Sequence, residues 1–238
     1  MDSKLTNRKS SSLEIFLEIA IVLAAVLIIK QVADYFQIPG AGSIGIWSGI
    51  LLATFFMKRQ NIRWYDFGLH CPQGKREWII NVGSGLLAVV AVFLLMGLVL
   101  DPLLTYFGLV PPPDVADRFQ FFLGKPLLFI SYLVIVIWFG AALGEELIMR
   151  GFLLNRLADL FGKSNWGWFS ALLVQAAIFG SLHVYQGVAG IIKTAVIAII
   201  FGVIYLATGK RLFPVILAHV VINTISITAF YLSGGVVN

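Results

Sequence analysis

The chain has 238 residues, 59% of them hydrophobic and 12% charged, with a net charge of +5. Soluble domains run at about 45–50% apolar and about 25% charged, so this composition excludes an ordinary soluble domain and points to an integral membrane protein. The basic residues fall in short clusters between apolar runs, a pattern of membrane topology and not of a nucleic-acid surface.

Taken in chain order, Lys4, Arg8 and Lys9 precede an apolar run from Leu13 to Ile29. That resembles a secretion signal, but the run carries Glu14 and Glu18, and the stretch from Gln37 to Ser43 is a weak cleavage site, so a retained first membrane helix is expected. A membrane helix needs about 20 largely apolar residues. The candidate spans are 13–36, 42–57, 78–100, 126–144, 166–186, 188–208 and 212–232, which predicts an all-α polytopic bundle of about seven helices, with six to eight compatible with the pattern. Residues 1–125 would form N-terminal membrane helices with an interfacial segment and an external Pro-rich loop, and 126–238 a C-terminal helical core.

Arg63-Trp64-Tyr65-Asp66-Phe67-Gly68-Leu69 reads as either an interfacial segment or a connecting loop with an aromatic anchor. The stretch from Asp101 to Lys125, with Pro111-Pro112-Pro113, Asp114 and Asp117, reads as an external loop. Cys71, the one cysteine, excludes an intramolecular disulfide and a C-x-x-C site. Gly45-x-x-x-Gly49 and Gly140-x-x-x-Gly144 have the spacing of close helix packing in lipid. With alternating spans, most Lys and Arg fall on one side, and Arg118 and Lys125 fall in loops on the other. The N-terminus is therefore expected in the cytosol and the chain in a membrane, a bacterial cytoplasmic membrane by this reading.

Three polar sites interrupt the apolar chain: Glu145-Glu146 with Arg150, His183 at the end of Phe179-Gly180-Ser181-Leu182, and His219-Val220-Val221-Ile222-Asn223. Charged groups at membrane depth cost several kcal/mol each unless paired or solvated, so they mark functional positions. Spacing i to i+4 allows Glu146 and Arg150 to pair, while Glu145 points about 100° away and stays available. The alternative is a surface ion pair at a cytosolic helix end. His183 alone could be a packing residue. His219 and Asn223 share one helical face and could serve chemistry or an inter-helix hydrogen bond.

Together these groups can activate water. A carboxylate in an apolar cleft can act as general base, a neighbouring His can orient the water, and a second His with an Asn can donate to an oxyanion. Glu145, His183 and His219 could instead bind zinc and leave a position for water. There is no H-E-x-x-H motif, no nucleophile elbow and no Gly-rich phosphate loop.

Glu-Glu-x-x-x-Arg, then Phe-x-x-x-His, then His-x-x-x-Asn, in this order over roughly Leu127 to Thr228, resembles the CPBP family, the CAAX protease and bacteriocin-processing (Abi) group. The resemblance implies an intramembrane endopeptidase acting on an apolar or lipidated peptide, with a site recessed in the membrane and opening to the cytosol. It implies Glu145 as the water-activating base, His183 as its partner, His219 and Asn223 as the oxyanion site, and Glu146 with Arg150 as support. Both metal-dependent and metal-free mechanisms are associated with the family, so zinc stays open. Beside the protease stand a non-proteolytic bacteriocin immunity or regulatory protein, and a transporter, against which the absence of an inverted repeat speaks.

The span boundaries conflict with this site. If the fourth span ends at 144, Glu145 lies at the cytosolic end of its helix. His183, roughly 17 residues beyond Trp166, would then be about 25 Å away across the membrane. Either 141–160 is sunk in the bilayer, or the fifth helix starts well outside it.

Overall fold

The computed structural model describes residues 11–235, so Lys4, Arg8 and Lys9 lie outside it. The long helices, in chain order, are α1 (Ser12–Tyr35), α2 (Ala41–Arg59), α3 (Gly74–Tyr106), α4 (Pro126–Leu160), α5 (Asn165–Ser181), α6 (Gly187–Ala207) and α7 (Leu212–Leu232). The protein is a polytopic bundle of membrane helices. All but α5 are long and apolar enough to cross a membrane. At 17 residues, α5 rises only about 26 Å, short of a hydrocarbon layer of about 30 Å.

The two acids in the first apolar run have separate uses. Ser11 and Glu14 form a reciprocal capping box that satisfies donors at the start of α1. Glu18, one turn on, pairs with Arg156 of α4, and Gln60, just after α2, bonds to both. Arg156 is 2% exposed, so this polar knot locks three helices together in the interior.

Both glycine pairs serve close packing. A Cβ on Gly45 would fall 2.5 Å from the carbonyl oxygen of Val26, and one on Gly49 would fall 2.5 Å from Val26 Cγ2. On the other flank of α2, a Cβ on Gly140 would collide with Ser43, and one on Gly144 would sit 2.7 Å from Ile46 Cγ2. Small residues thus let α2 lie against both α1 and α4.

The expected boundaries need two corrections. The fourth span does not stop at 144: α4 runs on to Leu160, with wide π-helical turns over Leu133–Glu145 and Leu147–Leu153. Glu145, Glu146 and Arg150 therefore sit in mid-helix, and every residue from Glu146 to Ala158 is buried. Arg150 and Arg156 are interior groups, not loop cations. The fifth span ends early, because α5 stops at Ser181 and 182–186 form a turn.

The depth conflict is thereby removed. Glu145 lies 15 residues before the end of α4, and His183 lies 18 residues beyond the start of the antiparallel α5. Both are about 25 Å from the turn that joins the two helices.

The segment around Trp64 is a single 3₁₀ turn, Trp64–Phe67, stitched to the bundle end. Trp64 Nε1 donates to Thr54 Oγ1 at 2.9 Å, Leu212 N donates to the Gly68 carbonyl at 3.0 Å, and Phe67 is buried. Opposite, the Pro113–Phe122 turn brings Phe119 and Phe122 against Phe129, Tyr132, Phe230 and Tyr231. The stretch expected as an external loop is partly helical, since α3 continues to Tyr106.

Candidate active site

Glu146 and Arg150 form the ion pair that their spacing predicts. Arg150 Nη1 donates to Glu146 Oε1 at 2.8 Å, and both side chains are fully buried. This rules out a surface pair at a helix end. Such a pair survives burial only with further hydrogen bonds to offset desolvation. Arg150 Nη2 reaches the Ala198 carbonyl at 3.4 Å. Its guanidinium also lies 5.2 Å from each of the Phe179 and Phe201 ring centroids, held between two aromatic faces.

Those rings carry the arrangement outward to the histidines. The His183 ring sits 4.7 Å from the Phe179 ring, and the His219 ring 5.8 Å from the Phe201 ring. Arg150 is thus the hub from which both histidines are one aromatic ring away. The phenylalanine of Phe-x-x-x-His has a physical role in this: it separates Arg150 from His183. Phe201 was missed by sequence reasoning, since a phenylalanine inside an apolar run gives no signal.

His219 also contacts the hub directly. Its Nδ1 lies 2.8 Å from Glu146 Oε1, the oxygen that Arg150 already holds. A carboxylate only accepts, so Nδ1 carries the hydrogen and Nε2 faces away. His183 Nδ1 donates in the same way to the Phe179 carbonyl at 2.9 Å, leaving its Nε2 outward. Both imidazoles are held with the same nitrogen inward.

Glu145 is half-exposed, and among the described residues no hydrogen bond or ion pair engages its carboxylate. It lies within electrostatic reach of Arg150 and of Tyr185, whose ring is 5.9 Å from that of His183. Asn223, one turn beyond His219 on α7, is half-exposed, and its amide makes no hydrogen bond among the described residues. Its neighbour Thr224 accepts from Trp138 Nε1 at 2.9 Å, which ties α7 to α4 at this level. No hydrogen bond joins His183 to either glutamate among the described residues.

Zinc binding by Glu145, His183 and His219 would require them to converge. Among the described residues no group of three or more His, Cys, Asp and Glu is placed to hold a metal ion. These residues do not fit a resident zinc, and no step below passes through one.

Residues 127–225 match the family model described as Rce1-like, type II CAAX prenyl endopeptidase Rce1-like. The chain is similar to that family over this region. It takes in α5, α6, nearly all of α4 and most of α7, and it contains Glu145, Glu146, Arg150, His183, His219 and Asn223. No curated protein and no solved structure matches the chain.

Proposed function

We propose that the chain is an intramembrane endopeptidase of the CAAX-protease type, hydrolysing a peptide bond in an apolar or lipidated, membrane-associated peptide. The observation that carries this reading is the division of labour between adjacent carboxylates. Glu146 is held at Oε1 by both Arg150 and His219, while no hydrogen bond or ion pair engages the half-exposed carboxylate of Glu145 among the described residues.

In the mechanism, Glu145 accepts a proton from water, and the oxygen attacks the scissile carbonyl carbon. His183 Nε2 orients that water. The carbonyl oxygen becomes an oxyanion, stabilised by the Asn223 amide and by Nε2 of His219, which donates when the ring is an imidazolium paired with Glu146. Collapse breaks the C–N bond, and Glu145 returns its proton to the leaving amine. Glu146 and Arg150 position the site and do not touch substrate. The Rce1-like match supports the substrate class, and a prenylated cysteine peptide is its precedent.

The test uses detergent-purified protein and its Glu145→Gln form with a pool of apolar and prenylated peptides, products being read by mass spectrometry. Cleavage by the native chain alone is expected, unchanged by a zinc chelator. Cleavage by both forms would remove Glu145 from the mechanism. Stable binding of peptides without cleavage would favour an immunity or regulatory role.

A further inference from the structure

We infer that the groove between the start of α5 and the end of α6 binds an anionic phospholipid, with the phosphate at Lys210 and an acyl chain against Leu172 and Leu206. None of these residues takes part in the proposed chemistry, so the inference does not depend on the endopeptidase reading.

Local sequence builds the groove. Ser164 caps α5, its side chain accepting from Gly167 N at 3.0 Å, and so fixes where that helix begins. Lys210 closes the turn after α6: its N–H donates to the Tyr205 carbonyl at 2.8 Å, with a left-handed backbone at φ 63°. Its ammonium lies over the Trp168 ring, 4.6 Å from the centroid. Between the two helix ends is a cavity of about 500 Å³, with Asn165, Trp168, Phe169, Leu172, Leu206 and Lys210 in its lining. That volume is in the range of small-molecule sites.

The lining changes character along α5. Asn165 and Lys210 are polar and exposed. Leu172, about 10 Å further along the helix, is buried at the apolar end. It is seated on Gly202 of α6, where a Cβ would fall 2.2 Å from Leu172 Cδ1. A polar mouth and an apolar floor at that separation fit an amphiphile better than a free anion or a hydrocarbon chain alone.

Charge selects the head group. Among the described residues no carboxylate pairs with Lys210. Asp159 is within its electrostatic reach, but that carboxylate is held by Arg156 and Lys163. Partial burial and the Lys163 charge keep the Lys210 ammonium below its ordinary pKa, a penalty that a bound phosphate would offset. The Trp168 indole N–H and the Asn165 amide make no hydrogen bond among the described residues, so three donors in the lining have no acceptor. The start of α5 adds the positive end of a helix dipole. Basic pockets of this kind between membrane helices recognise anionic head groups.

The experiment follows thermal unfolding of the full chain in detergent, titrated with phosphatidylglycerol, with phosphatidylcholine of the same acyl chains, or with inorganic phosphate. Phosphatidylglycerol is expected to raise Tm saturably and to bind about fivefold more tightly than phosphatidylcholine, the effect of one lysine near an anionic head group. Lys210→Gln should abolish that preference, while Lys75→Gln, on α3 and outside the groove, should keep it. Leu206→Trp, which fills the apolar part and keeps the lysine, should remove the saturable response to lipid. Equal affinity for the two lipids overturns the inference. So does an equal response to inorganic phosphate, or a preference that survives Lys210→Gln or Leu206→Trp.

Discussion

Glu146 and His219, 73 positions apart in the chain, meet at 2.8 Å through Oε1 and Nδ1. The same oxygen takes Arg150, so a single buried carboxylate orients a cation on its own helix and an imidazole on α7. In the proposed mechanism the adjacent glutamates therefore have different duties, one architectural and one chemical.

The first prediction separates them. Glu145→Gln should lower kcat by about 10²–10⁴-fold, the usual worth of a general base, with thermal unfolding in detergent unchanged. Glu146→Ala should also lose activity, but through stability, because it leaves Arg150 buried without its counter-charge at about 3–5 kcal/mol. Equal loss of Tm in both variants would contradict this division.

Replacement of Arg150 should follow an order set by geometry as well as by charge. Lysine keeps a cation near Glu146 but cannot also span to the Ala198 carbonyl or lie flat between Phe179 and Phe201. Arg150→Lys should therefore fall between the native chain and Arg150→Met in Tm. A lysine variant as stable as the native chain would show that charge alone matters.

Glu18 and Arg156 give a coupling that can be measured. In a double-mutant cycle with Glu18→Gln and Arg156→Gln, the interaction energy should be about 0.5–3 kcal/mol, as for other contacting pairs in one network. Additive losses would mean that the knot between α1, α2 and α4 contributes little.

Gly140→Ala should cost about 1–3 kcal/mol, since its new methyl group overlaps Ser43. Adding Ser43→Gly removes the obstruction, along with the 3.1 Å hydrogen bond from Ser43 Oγ to the Val136 carbonyl. Most of the lost Tm should return in the double variant.

Much of this architecture was legible beforehand, because long apolar runs, paired glycines and i to i+4 charges act locally. The end of α4 was not. Glu145 and Glu146 read as the point where an apolar span gives way to water, yet Glu146 is neutralised inside the bundle by partners from α4 and α7. Periodicity along one segment cannot reveal a partner 73 residues away. The aromatic clamp on Arg150 was hidden for a related reason, since Phe179 and Phe201 look like ordinary lipid-facing or core residues until the bundle closes around a guanidinium.

The knot at Arg156 also bears on biosynthesis. A chain made from its N-terminus releases α1 and α2 long before α4. Glu18 and Gln60 are thus synthesised before Arg156, so both partners of the guanidinium precede it along the chain. The early helices thus hold the partners that a later helix needs for its buried cation.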